Sequence, residues 1–296
     1  MLFRSQPILS LPDHAIQQIA LAHWQGEANT LSQEHITWDA IDKVARACEK
    51  PETNLSAPSE LPTTARKPPP QHSDIKAHDL IQQRRSAVAM DKRTQMQVEQ
   101  FYSLLSRLMP ESVDVPFNVL AATARVQLIF FVHRVEDLIP GVYCLIRNPG
   151  ALAALKTQMN EEFAWKKPET CPKEIPLFCL LEGDAKGLSQ QLSCQQDIAA
   201  DGCFSLAMLS QFKQTLRKTG AWLYPQLYWE CGIIGQVLYL EAEALSIQST
   251  GIGCFFDDPV HDFLGLQDLQ FQNLYHFTVG GAVHDSRILT LPPYTV

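Results

Sequence analysis

The chain lacks most of the short motifs that announce a chemistry. No Cys-x-x-Cys occurs among its eight cysteines, Cys48, Cys144, Cys171, Cys179, Cys194, Cys203, Cys231 and Cys254, which excludes a zinc ribbon and a thioredoxin-type centre. No Gly-x-Ser-x-Gly is present, so a serine-hydrolase elbow has no support. Gly251-Ile252-Gly253 opens like a dinucleotide fingerprint, but the third glycine position is Phe256. His133, His276 and His284 fall at no metal-ligand spacing. Long hydrophobic runs are missing too. The most apolar window, Cys231 to Leu240, contains Gln236 and is bounded by Glu230 and Glu241, too short to cross about 30 Å of hydrocarbon. Met1 to Ser10 has no long apolar core followed by a small-residue cleavage site, so no secretory signal is expected. Excess positive charge is absent as well. Lys and Arg number 24 against 32 Asp and Glu, a net charge of -8, which argues against nucleic acid or an anionic membrane as the main partner. One bound phosphate needs only a local pair of cations and stays compatible with that balance.

What is present suffices for a real core. Of 296 residues, 46% are hydrophobic and 19% charged, which suits one or two domains. Several cysteines sit inside apolar runs, such as Cys144 in Val142-Tyr143-Cys144-Leu145-Ile146, and read as small hydrophobes. That usage points to a reducing compartment, hence the cytoplasm.

The hydrophobic pattern predicts helices over 12–24 and 38–48, with Ser32 or Thr37 as candidate caps of the second. From Pro51 to Ser73 the chain turns proline-rich, with Pro51, Pro58, Pro62, Pro68, Pro69 and Pro70, and reads as an extended linker. This divides the chain into an N-terminal helical arm, 1–50, a linker, 51–74, and a globular body, 75–296. In the body, helices are expected over 75–84, from Thr94 to Leu108, from Leu152, over 197–217 and over 226–247. The last is apolar nearly all round and reads as a buried central helix. Strands are expected over 125–132, 142–146, 177–181 and 274–280, the first two as an antiparallel pair around the Pro140-Gly141 turn. No internal repeat is found. Helices mixed with strands outside βαβ alternation favour an α+β layer.

Two stretches and two single residues carry possible chemistry. Arg84-Arg85-Ser86 ends a predicted helix; two guanidinium groups and a hydroxyl can meet a phosphate, although cations at a helix C-terminus are favoured in any case. Gly251, Ile252 and Gly253 suit a backbone approached by a flat ligand, or a helix C-cap followed by a loop. Tyr224, before Pro225, is either a proton-handling group or a structural aromatic. Glu230, on an apolar helix, is either an acid with a catalytic task or the charge partner of an arginine.

Taken together, these stretches resemble one family. Ile81-Gln82-Gln83-Arg84-Arg85-Ser86-Ala87-Val88-Ala89-Met90-Asp91 looks like the first flavin-contact motif of the nitroreductase superfamily. Within it, the thiazoline/oxazoline dehydrogenase branch, called SagB-like, is the nearer match. Phe131 to Val135 with Pro140 to Tyr143, then Tyr228 to Gln236 leading into Gly251 to Val260, and Val279-Gly280-Gly281 followed by Arg287, resemble that branch's further motifs. The resemblance covers roughly 75–296, in the expected order.

It implies a nitroreductase-like α+β fold with a central, mostly antiparallel sheet flanked by helices around a buried long helix. It also implies bound FMN at the interface of a homodimer. Arg84, Arg85 and Ser86 would hold the phosphate, ribityl chain or pyrimidine edge. The backbone of Gly251 to Gly253 would lie along the isoalloxazine, and Arg287 would add a second charge at the phosphate. Tyr224 and Glu230 are the catalytic candidates. Hydride would pass through flavin N5 from NAD(P)H to a small organic or peptide substrate. Two departures touch the nitroaromatic activity more than flavin binding. The basic residue two positions after the serine is Val88 here, and no Asn-x-Gln-Pro-Trp segment is evident beyond a poor match at Pro116-Phe117-Asn118. Two alternatives remain open: an azoline dehydrogenase in peptide modification, and a flavin-binding protein without catalysis. Trp24 to Asp42 also resembles the tail of a preceding domain in tandem members, or is simply an arm that packs on the body.

Overall fold

The computed structural model describes residues 13–27, 29–30, 34, 36–51, 75–110, 116–120 and 124–291. Two helices come first, α1 (Asp13–Leu21) and α2 (Asp39–Ala47), and neither buries a residue. Trp38 precedes α2 without a side-chain cap, so Thr37 is not the cap. Ser32 and, beyond Pro51, the expected linker lie outside the described residues.

The body runs α3 (Ala77–Gln83), α4 (Val98–Arg107), β1 (Val126–Val132), β2 (Gly141–Leu145), α5 (Leu152–Gln158) and β3 (Leu177–Glu182). It continues with α6 (Lys186–Leu192), α7 (Ile198–Asp201), β4 (Phe204–Gln211), α8 (Lys213–Thr219), α9 (Tyr224–Ala244), β5 (Gln248–Ile252), α10 (Asp257–Leu264) and β6 (Phe271–Gly280). The helix expected from Thr94 starts later because Thr94 is tied backward: its N–H and Oγ1 both donate to the Asp91 carboxylate, at 2.9 and 2.5 Å.

Six strands form one sheet in the order β3-β2-β1-β4-β6-β5, every neighbour antiparallel. The expected β1–β2 pair is there, with Leu128 opposite Leu145 and Val132 opposite Gly141. Successive side chains of β1 go to opposite faces. Leu128, Phe130 and Val132 join one core with α4 and α9; Ile129 and Phe131 join another with α5 and α10. Helices therefore cover both faces of an antiparallel sheet, the α+β arrangement expected.

One expected element is wrong. The long helix over 197–217 is in fact α7, the strand β4 and α8. β4 lies at the centre of the sheet and is buried on both faces, so its sequence Phe-Ser-Leu-Ala-Met-Leu-Ser shows no alternation. Leu, Ala and Met are strong helix formers, and only the pairing with β1 and β6 overrides them.

Candidate functional site

Arg84 leaves α3 with φ -53° and ψ 131°, which ends the helix and turns the chain into an extended course. That course follows the free edge of β5. Ser86 makes a parallel bridge to Ser249, and the Ala87 N–H donates to the Ser249 carbonyl at 3.0 Å. An otherwise open sheet edge is thereby partly covered. The cationic stretch and the glycine stretch, far apart in sequence, become neighbours.

Tyr239 of α9 ties the two together. Its hydroxyl accepts the Gly251 N–H at 3.0 Å and lies 2.9 Å from Ser86 Oγ. The Arg84 guanidinium sits over the Tyr239 ring, 4.5 Å from its centroid, in cation–π geometry. Among the described residues nothing accepts a hydrogen bond from the Arg84 head, so its donors remain free for an anion. Arg85 is different. Its Nη1 donates to the carbonyls of Gln82 and Arg84, both at 2.8 Å, and its Nη2 donates to the Leu291 carbonyl at 3.0 Å. Arg85 thus holds the end of α3 and the tail together. Burial raises the nearby Glu243 carboxyl above its ordinary range, against the pull of Arg84 and Arg85.

The two glycines answer different needs. A Cβ at Gly251 would lie 2.1 Å from the Tyr275 hydroxyl, so packing alone demands glycine there. At Gly253 a Cβ would meet nothing within 4 Å, and the residue is exposed. Between them Ile252 is buried. Gly251 is not a helix cap but part of the edge strand β5; α9 ends instead through Ser246, left-handed at φ 58°. The open backbone at Gly253 and the free Arg84 head fit a planar ligand that carries an anionic group.

The remaining expected site residues stand apart. Arg287 is exposed and donates from Nε and Nη2 to the Asp285 carboxylate at 2.9 and 2.6 Å; none of its bonds reaches Arg84, Arg85, Ser86 or the glycines. Tyr224 lies at the other end of α9, about 22 Å along the axis from Tyr239 at 1.5 Å per residue. Its hydroxyl is 3.1 Å from that of Tyr228. Glu230 is the arginine partner. Its carboxylate, 4% exposed, pairs with the fully buried Arg147 and accepts the N–H groups of Arg125 at 3.0 Å and Val126 at 3.3 Å. Of the two readings of Glu230, the charge partner of an arginine is the one these contacts display, with both of its oxygens engaged in fastening α9 to the start of β1.

Sequence reasoning missed Tyr239, Tyr275 and Arg147. A phenol within an apolar helix needs a partner for its hydroxyl, and this was the available signal for Tyr239. It also missed a cysteine pair. Cys194 and Cys254 form a disulfide, whereas Cys144, Cys171, Cys179, Cys203 and Cys231 are the buried free thiols that the composition suggested. The disulfide ties the segment after Gly253 to the end of α6. The same junction holds a stack of Phe255 on His276, with centroids 4.7 Å apart, and a bond from the Phe256 N–H to the Leu192 carbonyl at 2.9 Å.

Among the described residues, no group of three or more His, Cys, Asp or Glu could hold a metal, and no helix is long and apolar enough to cross a membrane.

Comparison with known proteins adds the following. A family model described as "Nitroreductase family" matches residues 82–281. A putative nitroreductase from Anabaena variabilis is 21% identical, with a TM-score of 0.51 over 68% of this chain and 37% of that one. This chain thus spans little more than a third of that protein's length, and the likeness is one of fold. A putative nitroreductase from Ralstonia eutropha is 12% identical, with a TM-score of 0.48 over 73% of this chain and 88% of that one. A microcin synthetase complex from E. coli is 15% identical, with a TM-score of 0.48 over 95% of this chain and 85% of that one. No curated protein matches the sequence.

Proposed function

The chain belongs to the nitroreductase family, and from that premise we propose that it is an FMN-dependent oxidoreductase acting as a homodimer. The observation that carries this reading is the Tyr239 hydroxyl, bonded at once to Ser86 and to Gly251. It brings the Arg84 guanidinium and the Ser86 hydroxyl beside the strand β5, whose chain continues two residues past Gly251 to the open backbone of Gly253.

Bound FMN would supply the centre that accepts and returns hydride. The protein's part is to bind and orient. Arg84, held over the Tyr239 ring, presents its donors to an anionic edge or phosphate. Ser86 adds an exposed hydroxyl beside it. Gly253, lacking a side chain, lets a planar ring approach the backbone. Ile252 anchors this stretch to the core, and Arg85 acts behind the cradle by fixing the end of α3. Arg287 serves as the outer charge, and Tyr224 as a group supplied at the subunit boundary.

The dimer reading rests on α9. One face, Leu227, Cys231, Ile234 and Leu238, is buried against the sheet. The opposite side still exposes Tyr228, Trp229 and Gly232, with Trp229 58% accessible. A helix apolar all round calls for cover on both sides. In this reading 75–296 is the flavin domain and 1–50 an N-terminal helical arm or the remnant of a preceding domain; α1 and α2 bury nothing. The electron donor is NAD(P)H and the acceptor a small organic or peptide substrate. The buried free thiols support a cytoplasmic setting.

Titration with FMN, followed by flavin fluorescence and by bleaching of the visible bands under anaerobic NADPH, tests this reading. Arg84→Ala is expected to weaken FMN binding by about tenfold or more, the loss of a charge-assisted contact. Arg287→Ala is expected to weaken it less. Turnover of an azoline peptide would assign the SagB-like reaction, and FMN binding without bleaching would assign the silent flavoprotein. Absence of FMN binding by the wild-type protein would overturn the proposal.

A further inference from the structure

We propose that Cys194 and Cys254 form a thiol–disulfide exchange site whose oxidation state sets the position of residues 253–256 beside the flavin cradle. The cofactor half of this inference rests on the flavin reading above.

The pair is placed for exchange. Cys254 is exposed and Cys194 half-buried, whereas five other cysteines are buried. Burial pushes the thiols of Cys171 and Cys203 up, to about 11 and about 12, so these stay inert while the accessible pair reacts.

It is also placed for control. The disulfide joins the end of α6 to the first residue after Gly253, with Cα atoms 5.8 Å apart. Gln196 Nε2 donates to the Cys254 carbonyl at 3.0 Å, and the Phe256 N–H donates to the Leu192 carbonyl at 2.9 Å. Phe255 lies flat on His276, at an interplanar angle of 11°, and His276 Nδ1 is 3.0 Å from Ser193 Oγ. These contacts all cross one junction. On its α6 side two consecutive non-glycine residues, Cys194 and Gln195, hold left-handed conformations with φ 54° and 60°. Such a pair of residues persists only where its surroundings over-determine it. Cutting the covalent link lets this segment relax and leaves the loop after Gly253 on its weaker contacts alone.

The exchange balances simply. A dithiol reductant attacks and the S–S bond of Cys194 and Cys254 breaks. Two electrons and two protons pass to the pair as two thiols, and the reductant closes its own disulfide. In a reducing compartment such an accessible pair behaves as a sensor rather than a permanent staple.

The test compares the oxidised protein with the same protein reduced by dithiothreitol under nitrogen. Alkylation and mass analysis fix the state of Cys194 and Cys254, amide hydrogen exchange reads residues 253–256, and fluorescence titration reads FMN affinity. Reduction is expected to speed exchange at the Phe256 amide by about tenfold or more. It is expected to weaken FMN binding by on the order of fivefold. Cys254→Ser is expected to match the reduced protein in both; the wild-type comparison stands without it should that variant not fold. Equal exchange in the two states overturns the proposal, as does recovery of both cysteines as free thiols after mild oxidation. Faster exchange with unchanged FMN affinity overturns the link to the cofactor. Failure of the flavin reading shows differently, as no FMN binding in either state.

Discussion

Replacing Glu230 by glutamine keeps the shape of the side chain and removes its charge. The structure makes this an expensive change. Arg147 is fully buried, and its Nε and Nη1 already donate to the carbonyls of Leu108 and Val126 at 2.7 and 3.0 Å. Among the described residues its buried Nη2 has no acceptor, and Glu230 is the carboxylate that pairs with the guanidinium. Removing one partner of a buried ion pair costs about 3–5 kcal/mol. The glutamine oxygen can still accept the N–H of Arg125 or Val126, which points to the lower end, about 3 kcal/mol. Typical domains have only about 5–15 kcal/mol of net stability. With a urea slope of about 2–3 kcal/mol per molar, the unfolding midpoint should fall by roughly 1–1.5 M. The double variant Arg147→Met/Glu230→Leu should recover most of the loss, because two apolar groups leave no unpaired charge. Urea unfolding followed by far-ultraviolet circular dichroism measures both. A glutamine variant with the wild-type midpoint but no turnover would refute the structural role and restore Glu230 as a catalytic acid.

Two further outcomes are expected. Burial depresses the His276 ring to about 3 and the His133 ring to about 4, both from an ordinary value of 6.5. The unfolded chain takes up these protons below about pH 6.5 while the folded chain does not, so stability is full above that pH and declines as pH falls toward 4. Each proton contributes up to about 1.4 kcal/mol per pH unit. His276→Gln should flatten the pH dependence of the urea midpoint by one proton between pH 6 and pH 4; an unchanged slope would refute the assignment. Gly251→Ala should destabilise by about 1–3 kcal/mol through its collision with the Tyr275 hydroxyl, whereas Gly253→Ala should leave the melting temperature within a degree or two and weaken FMN binding. Equal effects of the two substitutions on stability would show that Gly253 is also a packing glycine.

Much of the architecture was legible because local pattern and tertiary role agree. β1 and β2 are short runs rich in β-branched, aromatic and other apolar residues on either side of a turn signal at Pro140-Gly141, and they pair as that pattern suggests. α9 is apolar all round and lies against the sheet at the centre of the body. β4 was not legible. A strand buried on both faces loses its alternation, and its Leu, Ala and Met satisfy a helix equally well in isolation. The end of α9 was hidden for a similar reason: Ser246 takes the left-handed turn that glycine usually marks, while Gly251, which looked like the cap, is fixed by Tyr275.

The candidate site divides along the same line. The sequence by itself determined which chemical groups are available: two adjacent guanidinium groups with a serine, two glycines around an isoleucine, and an order of motifs that belongs to one family. Those are covalent facts, independent of distance. Only the tertiary structure decided which of them meet. The edge of β5 brings Ser86 beside Ser249, and one tyrosine hydroxyl joins Ser86 to Gly251. Arg85 turns inward to carbonyls while Arg84, over the Tyr239 ring, has no hydrogen-bond acceptor among the described residues, although the two are adjacent and identical in type. Glu230 finds Arg147, and Cys194 finds Cys254, across separations that no periodicity encodes. Hydrogen bonds, ion pairs and disulfides act over a few ångströms, so their partners are selected by the packing of the sheet and its helices and not by spacing along the chain.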